Sequence, residues 1–462
     1  MQLECTSCIK VPESLIGEPW LDDILKYLTR TSRDFVNPDN INIAYYYEKR
    51  DGFYMIPRFM DINTCFHTIH ENYPVGEDIN INFKTEWRND LQRQGFQFFM
   101  DRTNGILKLP PGEGKTVITI GAICAIKKKA IVFVHKDSLA VQWRERFLQH
   151  TDISDNDISL LSTSSRVEDL QKPIVISTVQ TMNSMIDRVP DIVQLLWNAN
   201  FGFAVWDECH TTSGAEKYSR SSLYLPCRRV YGLSATPARA DKNHDIIGKH
   251  LGPVITPEGT SATLQPKIRI LMFGHGVMSD PRKRYYVFNG FPNKDGTKPP
   301  VRFDMMRYEQ MLAAKTNKKF ITYLQKILLK CYQANRNILL ISNRIKILDA
   351  VSTIIPNKND VGFFIPRSGK LRDSELLKRV VLSTPGSSRD GTDKPKFDCL
   401  IMANPIGNIE QAIGRVCRVY EGKPQPVVFD IVDTDYEDFV RSYKRRKQYY
   451  EEKGWDLLEK KL

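Results

Sequence analysis

The stretch Leu109-Pro110-Pro111-Gly112-Glu113-Gly114-Lys115-Thr116 constrains this chain more than any other, because a Gly-rich turn ending in Lys-Thr is suited to holding phosphate. Gly105 to Leu109 reads as a buried strand, and Val117 to Ala125 carries an apolar face at helical spacing, so the turn sits between strand and helix. Gly112 and Gly114 let the backbone bend until successive N–H groups and the positive end of the next helix point at one spot. Lys115 is then placed to reach the β and γ phosphates of a nucleotide, and the Thr116 hydroxyl to ligate Mg²⁺. Pro111, Gly112, Glu113, Gly114, Lys115 and Thr116 are the candidate nucleotide-binding residues of this loop. The G-x-x-x-x-G-K-[ST] pattern asks for Gly where the chain has Leu109.

A chain of 462 residues has material for roughly three domains. The order of the text suggests residues 1–82 as an accessory domain, 83–257 as a nucleotide-binding α/β domain, and 258–304 as a connecting region with a basic loop. A second α/β domain follows over 305–435, then a basic helix over 436–462. No segment approaches the uninterrupted run of about 20 apolar residues a membrane span needs, and the start lacks a signal pattern, so a soluble intracellular protein is expected. Lys and Arg exceed Asp and Glu by 66 − 54 = 12, which favours a polyanionic partner. The nine cysteines fit reduced thiols, and Cys5 with Cys8 is a lone C-x-x-C pair without the partners of a zinc set.

Residues 45–58 read as a hairpin around Asp51-Gly52, with tyrosines interleaved with Lys49, Arg50 and Arg58. Two readings stay open: a surface that grips nucleic acid, or tyrosines that pack on the next domain. From Trp87 an amphipathic helix precedes the phosphate loop, and its Gln92, with one amide donor and one acceptor, is a candidate reader of an adenine edge. After the loop, strands at Ala130–Val134, Ile174–Ser177, Phe203–Trp206 and Val230–Leu233 alternate with helices, as in a parallel sheet whose ligands bind at the carboxyl ends. One strand delivers Asp207-Glu208-Cys209-His210. Asp207 suits Mg²⁺, commonly through water, and Glu208 suits orienting and deprotonating the water that attacks a γ phosphate. Ser234 and Thr236 close the next strand and offer hydroxyls to His210.

The second block predicts a helix over Met305–Cys331 and strands Ile338–Ser342, Val361–Ile365, Arg379–Ser383, Asp398–Met402 and Val427–Ile431. It has no phosphate loop. It offers Gln411-Ala412-Ile413-Gly414-Arg415-Val416-Cys417-Arg418, where Arg415 and Arg418 are three apart and share a helix face. Arginines brought to a γ phosphate from a second domain are the arginine-finger arrangement.

Taken together, Trp87 to Asp433 resembles the superfamily two helicases and translocases. Lys115-Thr116 matches the family's Walker A motif, Asp207 to His210 its DExH box, and Ser234-Ala235-Thr236 its motif III. Ser383-Thr384 with Gly391 and Asp393 resembles motif V, and Gln411 to Arg418 fits Q-x-x-G-R-x-x-R of motif VI. Gln92 stands where the family places its adenine-reading Gln, while Val134 to Trp143 and Ser177 to Gln180 resemble its strand-binding motifs. Arg228 to Asp241 and His250 to Pro253 look most like the branch of the excision-repair and transcription helicase, the phage recombination helicase and helicases of large DNA viruses. That repair helicase has Arg-Glu-Asp where this chain has Arg239-Ala240-Asp241.

The resemblance implies two tandem RecA-like α/β domains with ATP and Mg²⁺ as ligands and nucleotide bound between the domains. It assigns catalysis to Lys115, Asp207, Glu208, His210, Arg415 and Arg418. Gln92, Gly391, Asp393 and Gln411 join the phosphate loop in nucleotide binding, and Thr116 and Asp207 hold the metal. It implies a DNA helicase or translocase, with an RNA-directed or transcript-release ATPase as the alternative. Transcription or replication proteins are the partners it suggests. Length and the small first domain suit a viral or phage member, acting in a nucleus, viral factory or virion.

Overall fold

The computed structural model describes the chain except residues 1, 34–40, 63–67, 163, 164, 166, 213–215, 236–243, 260–262, 275–285, 289–300, 304–311, 313–317, 367, 369–371, 390–395, 405, 407, 408, 420 and 462. It forms two compact units, Met1–Ser261 and Ala262–Leu462.

The first unit begins with strands β1 (Gln2–Cys5) and β2 (Ile9–Pro12), helix α1 (Pro19–Tyr27), and strands β3 (Thr29–Arg33), β4 (Ile41–Tyr45), β5 (Glu48–Arg50), β6 (Phe53–Ile56) and β7 (Thr68–Glu71). Five of them make a sheet in the order β5-β6-β2-β1-β7. The hairpin read from the sequence is present: Asp51 and Gly52 have φ of 51° and 80°, the pair of positive values a tight two-residue turn demands. Two charged residues of the hairpin are engaged by the segment around Arg220–Tyr224. Glu48 accepts from Arg220 Nε at 3.0 Å and Tyr224 Oη at 2.8 Å, and Arg50 donates to Tyr224 Oη at 3.1 Å. The buried Arg58 donates to the carbonyls of Ser7, Leu225 and Cys227, so the first sheet is fastened to the segment around Arg220–Cys227 through backbone as well as side chains. Cys5 and Cys8 are buried, and among the described residues no group of three or more His, Cys, Asp or Glu side chains could hold a metal.

The rest of this unit runs α2 (Asp90–Asp101), β8 (Asn104–Lys108), α3 (Lys115–Ile126), β9 (Ala130–Val134), α4 (Asp137–His150), β10 (Ile158–Leu160), β11 (Ile174–Thr178) and α5 (Val179–Arg188). It continues through α6 (Ile192–Asn198), β12 (Phe203–Asp207), α7 (Cys209–Thr212), α8 (Glu216–Tyr224), β13 (Arg229–Ser234), α9 (His244–Leu251) and β14 (Val254–Ile255). The seven strands form one all-parallel sheet in the order β10-β11-β9-β12-β13-β8-β14. All five side chains of β9 are buried, because helices cover both faces of a parallel sheet and an unbroken Ala-Ile-Val-Phe-Val run satisfies both. Each of its Ile, Val and Phe side chains contributes about 1.5–3 kcal/mol by leaving water. The connection after β8 passes over two strands to reach β9, which leaves the carboxyl ends of β8, β13 and β12 side by side.

The second unit contains β15 (Lys267–Phe273), a short antiparallel pair β16 (Tyr286–Phe288) and β17 (Val301–Phe303), α10 (Lys318–Gln333), β18 (Ile338–Ile341), α11 (Ile345–Ser352) and β19 (Val361–Phe364). It continues with α12 (Arg372–Leu376), β20 (Val380–Ser383), α13 (Pro385–Arg389), β21 (Cys399–Met402), α14 (Ile409–Val416), β22 (Val427–Asp433), α15 (Glu437–Glu452) and β23 (Asp456–Lys461). Its seven-stranded sheet, order β19-β20-β18-β21-β22-β15-β23, is again all parallel.

Two stretches differ from the sequence reading. Residues 267–273, inside the expected connecting region, are β15, which pairs with β22 along its whole length; the Lys-Ile-Arg-Ile start alternates outward and inward and is short enough to read as linker. The basic helix expected over 436–462 stops at Glu452, and Asp456–Lys461 adds a parallel edge strand to β15. Trp455 stacks on Tyr450 with ring centroids 6.1 Å apart, which turns the chain back along the sheet. Of the helix expected over 305–331, residues 318–331 are helical, within α10, and most of the remainder lies outside the described residues.

Candidate nucleotide site

Helix α3 starts at Lys115 with Gly114 as its N-cap, and no side chain caps its first turn. Gly112 and Gly114 have φ of 89° and 83°, the left-handed region where a side chain is strained. The uncapped amides of a twelve-residue helix and its positive dipole end therefore face a loop free to approach an anion. Leu109 replaces Gly without opening the loop: its side chain is wholly buried against Gly95, its N–H donates to Ser234 O at 3.2 Å, and its carbonyl accepts from Lys115 Nζ at 3.2 Å.

The N-terminus of α2 clamps this loop. Asn89 caps its own helix by accepting from Gln92 N–H at 2.8 Å and donates from Nδ2 to Glu113 Oε2 at 3.2 Å. Arg88 donates to Gly112 O at 3.2 Å. Gln92, 1% exposed, accepts from Arg88 N–H at 2.9 Å and donates to Glu113 O at 2.9 Å. Its amide thus bolts the helix to the loop. A role for Arg88 and Asn89 carried no sequence signal, because ordinary surface residues gain it only when the loop folds back onto α2.

Two strands along, β12 ends at Asp207. Trp143 Nε1 of α4 donates to Asp207 Oδ2 at 2.8 Å, and Glu208 N–H donates to Asp207 Oδ1 at 2.9 Å. Burial and the neighbouring Glu208 charge push the Asp207 carboxyl above its usual range, while the Trp143 donor and the Lys115 charge hold it down. Glu208 has φ of 48°, a conformation that costs a non-Gly residue of order 1–3 kcal/mol and recurs at functional sites. Its Oε2 is buried without a hydrogen bond among the described residues and lies 3.4 Å from His210 Nδ1. His210 Nδ1 is also 3.1 Å from Ser234 Oγ, the strand-end hydroxyl the sequence suggested. Thr236 lies outside the described residues.

The strand-end loops converge as the alternating pattern suggested. Thr178 caps α5 by accepting from Thr181 N–H at 3.1 Å, and Gln180 donates to His135 O at 3.4 Å, linking the two stretches compared with strand-binding motifs. In the second unit Gln411 and Arg415 lie on α14, but the helix ends at Val416 and Arg418 follows it. There Cys417 O accepts from Leu264 N–H at 2.7 Å and Arg418 O from Lys423 Nζ at 2.8 Å, so carbonyls that would continue the helix are taken by other segments. Gly391 and Asp393 lie outside the described residues.

Among the described residues no helix is long and apolar enough to cross a membrane. Residues 78–239 match the family model described as "Type III restriction enzyme, res subunit". The matched segment takes in the phosphate loop and the Asp207-Glu208 strand end. It is similar to a protein named "Putative ATP-dependent RNA helicase L396" of Acanthamoeba polyphaga mimivirus, 26% identical over 76% of this chain and 64% of the relative. It is likewise 26% identical to the "Putative DNA 3'-5' helicase Rad25" of Haloarcula marismortui, over 82% of this chain and 59% of that one. The chain thus spans about three-fifths of the length of these two relatives. Among solved structures, yeast Dbp5 bound to RNA and ADP BeF3 superposes with a TM-score of 0.52 at 12% identity, covering 81% of this chain and 89% of that one, which supports the tandem RecA-like α/β fold.

Proposed function

We propose that this chain is an ATP-dependent DNA helicase or translocase, a nucleic-acid-stimulated ATPase. The observation that carries the reading is the glycine loop and uncapped start of α3 after β8, with the Asp207-Glu208 acid pair two strands along at the end of β12 and Glu208 held beside His210. The α3 amides and Lys115 take the phosphates. Thr116 and Asp207 would hold Mg²⁺, which supplies charge neutralisation when bound. Glu208 accepts a proton from the attacking water as the new P–O bond forms and the bond to the bridging oxygen of ADP breaks. His210, bonded to Ser234, keeps Glu208 in place. Arg415 and Arg418 are assigned the stabilisation of γ-phosphate charge, and Gln411, Gly391 and Asp393 accessory nucleotide contacts.

The Rad25 relative, named as a DNA helicase, favours DNA. The RNA helicase name of the mimivirus relative favours the second reading, an RNA-directed or transcript-release ATPase in viral transcription, and supports a viral setting in a nucleus, viral factory or virion with transcription or replication proteins as partners. The test is ATPase turnover with single-stranded, duplex and forked DNA and with RNA, in wild type, Lys115→Ala and Arg418→Ala. Undiminished turnover in both variants overturns the assignment, and stimulation by RNA alone selects the second reading.

A further inference from the structure

Unit two carries a cleft of about 410 Å³ where the carboxyl ends of β15 and β23 meet α15. Its floor is apolar, from Met272, Val440 and the Tyr443 ring, and Lys444, Lys460 and Lys461 stand around it. The acid at its wall is already engaged: Glu459 accepts from Tyr443 Oη at 2.5 Å and from Lys447 Nζ at 2.6 Å. The three lysines, by contrast, have no ion-pair partner among the described residues, and nothing in the hydrolysis proposed above uses them. Three uncompensated ammonium groups around an apolar floor attract an anion that also has an apolar face.

Resting on the reading of the chain as a nucleic-acid motor, we infer that this cleft is a second anchorage for the nucleic-acid strand. Its apolar floor takes a sugar or base face, and Lys444, Lys460 and Lys461 take the flanking phosphates. Two observations favour a strand over an acidic peptide. Arg441, Lys444 and Arg445 are exposed and fall on one face of α15 by their 3–4 spacing, so positive charge continues past the cleft, as an extended polyanion requires. The chain's excess of 12 positive charges points the same way. The site is separate from the strand-end loops of β18 and β20, because β21, β22 and β15 intervene before the edge strand β23.

The test compares the full chain with Lys444→Ala/Lys460→Ala/Lys461→Ala, measuring binding of labelled oligo-dT across salt concentrations and ATPase at rising oligo-dT. The three side chains are exposed, so the variant is expected to melt with the wild type and to keep its unstimulated turnover. If the cleft holds phosphates, the slope of log affinity against log salt becomes shallower by about 2, at about 0.7 per single-strand contact, so the affinity gap is about tenfold wider at about 50 mM than at about 150 mM salt. The half-stimulating oligo-dT concentration rises with it. Unchanged slope and half-stimulating concentration, in a wild type that is stimulated, overturn this anchorage alone. Loss of binding only to a poly-glutamate peptide overturns it in favour of protein docking. A wild type that neither binds nor responds to oligo-dT or oligo-U overturns both this inference and the functional reading beneath it.

Discussion

Trp143 Nε1 donates to Asp207 Oδ2 at 2.8 Å, tying the middle of α4 to the acidic end of β12. The bond favours the ionised carboxylate, which burial and Glu208 oppose. Trp143→Phe removes the donor and puts a smaller ring in a buried site, so some stability is lost and the Asp207 pKa moves further up. Activity that needs ionised Asp207 is then lost at a higher pH as the solution is acidified. The expected outcome is an acidic limb of the kcat–pH profile displaced upward, with a fall in kcat near neutrality smaller than for Asp207→Asn; an unmoved limb contradicts it.

Gly114 adopts a φ of 83°, and a methyl group added there would stand 2.6 Å from Gln92 Nε2 and 2.9 Å from an Arg88 guanidinium nitrogen. Gly114→Ala therefore strains the loop and disturbs its clamp. The expected cost is about 1–3 kcal/mol concentrated at the nucleotide site, seen as a rise in the ATP KM of about 5-fold to 150-fold. Thermal denaturation should show a shift of only a few degrees.

In the second unit Arg446 and Asp430 form a buried two-point ion pair, Nε to Oδ2 at 2.8 Å and a terminal nitrogen to Oδ1 at 3.0 Å, and Tyr450 Oη donates to the same carboxylate at 2.9 Å. Arg446→Met leaves that carboxylate unpaired in the core and should destabilise the unit by about 3–5 kcal/mol. Arg446→Met with Asp430→Leu removes both charges and should recover most of the loss. Chemical denaturation of the two variants measures the difference, and equal destabilisation would show that packing, not charge, dominates.

His250 is buried, with Nδ1 2.7 Å from Ser222 Oγ, and burial lowers its pKa from 6.5 to about 3, with the Arg58 charge adding to the effect. The unfolded chain binds a proton below about 6.5 that the folded chain refuses until about 3. Stability therefore falls as pH drops through that window, by up to about 1.4 kcal/mol per pH unit from this group. His250→Gln should flatten the fall in melting temperature between pH 6.5 and pH 4 relative to wild type, whatever its effect at pH 7.

Much of the site was legible because its parts are local. A loop that must bend at two glycines and a strand that must end on Asp207-Glu208 declare themselves within a few residues. The central strands Ala130–Val134 and Ile338–Ile341 were legible for a related reason: burial on both faces demands an unbroken apolar run. What escaped was whatever depends on a distant partner. β15 becomes a strand by pairing with β22 and β23 by pairing with β15, although residues 267–273 lie far along the chain from 427–433 and 456–461. Trp143 and Asp207 are 64 residues apart, and no spacing rule connects them. The hydrogen bonds of the Gln92 amide to the Arg88 and Glu113 backbone, which tie α2 to the loop, are likewise visible only in the fold.

The sequence by itself determined the chemistry on offer: phosphate-holding amides, an acid pair at a strand end, and a second α/β block with arginines at helical spacing. Those are properties of short segments, and covalent order with side-chain type is enough to specify them. Tertiary structure decided which groups act on one another. The order β12-β13-β8 brings Asp207 under the influence of Lys115, and α2 folding back clamps the loop. Edge pairing of β23 assembles a lysine-lined cleft. Those relationships depend on burial and distance through space, which a linear chain does not carry.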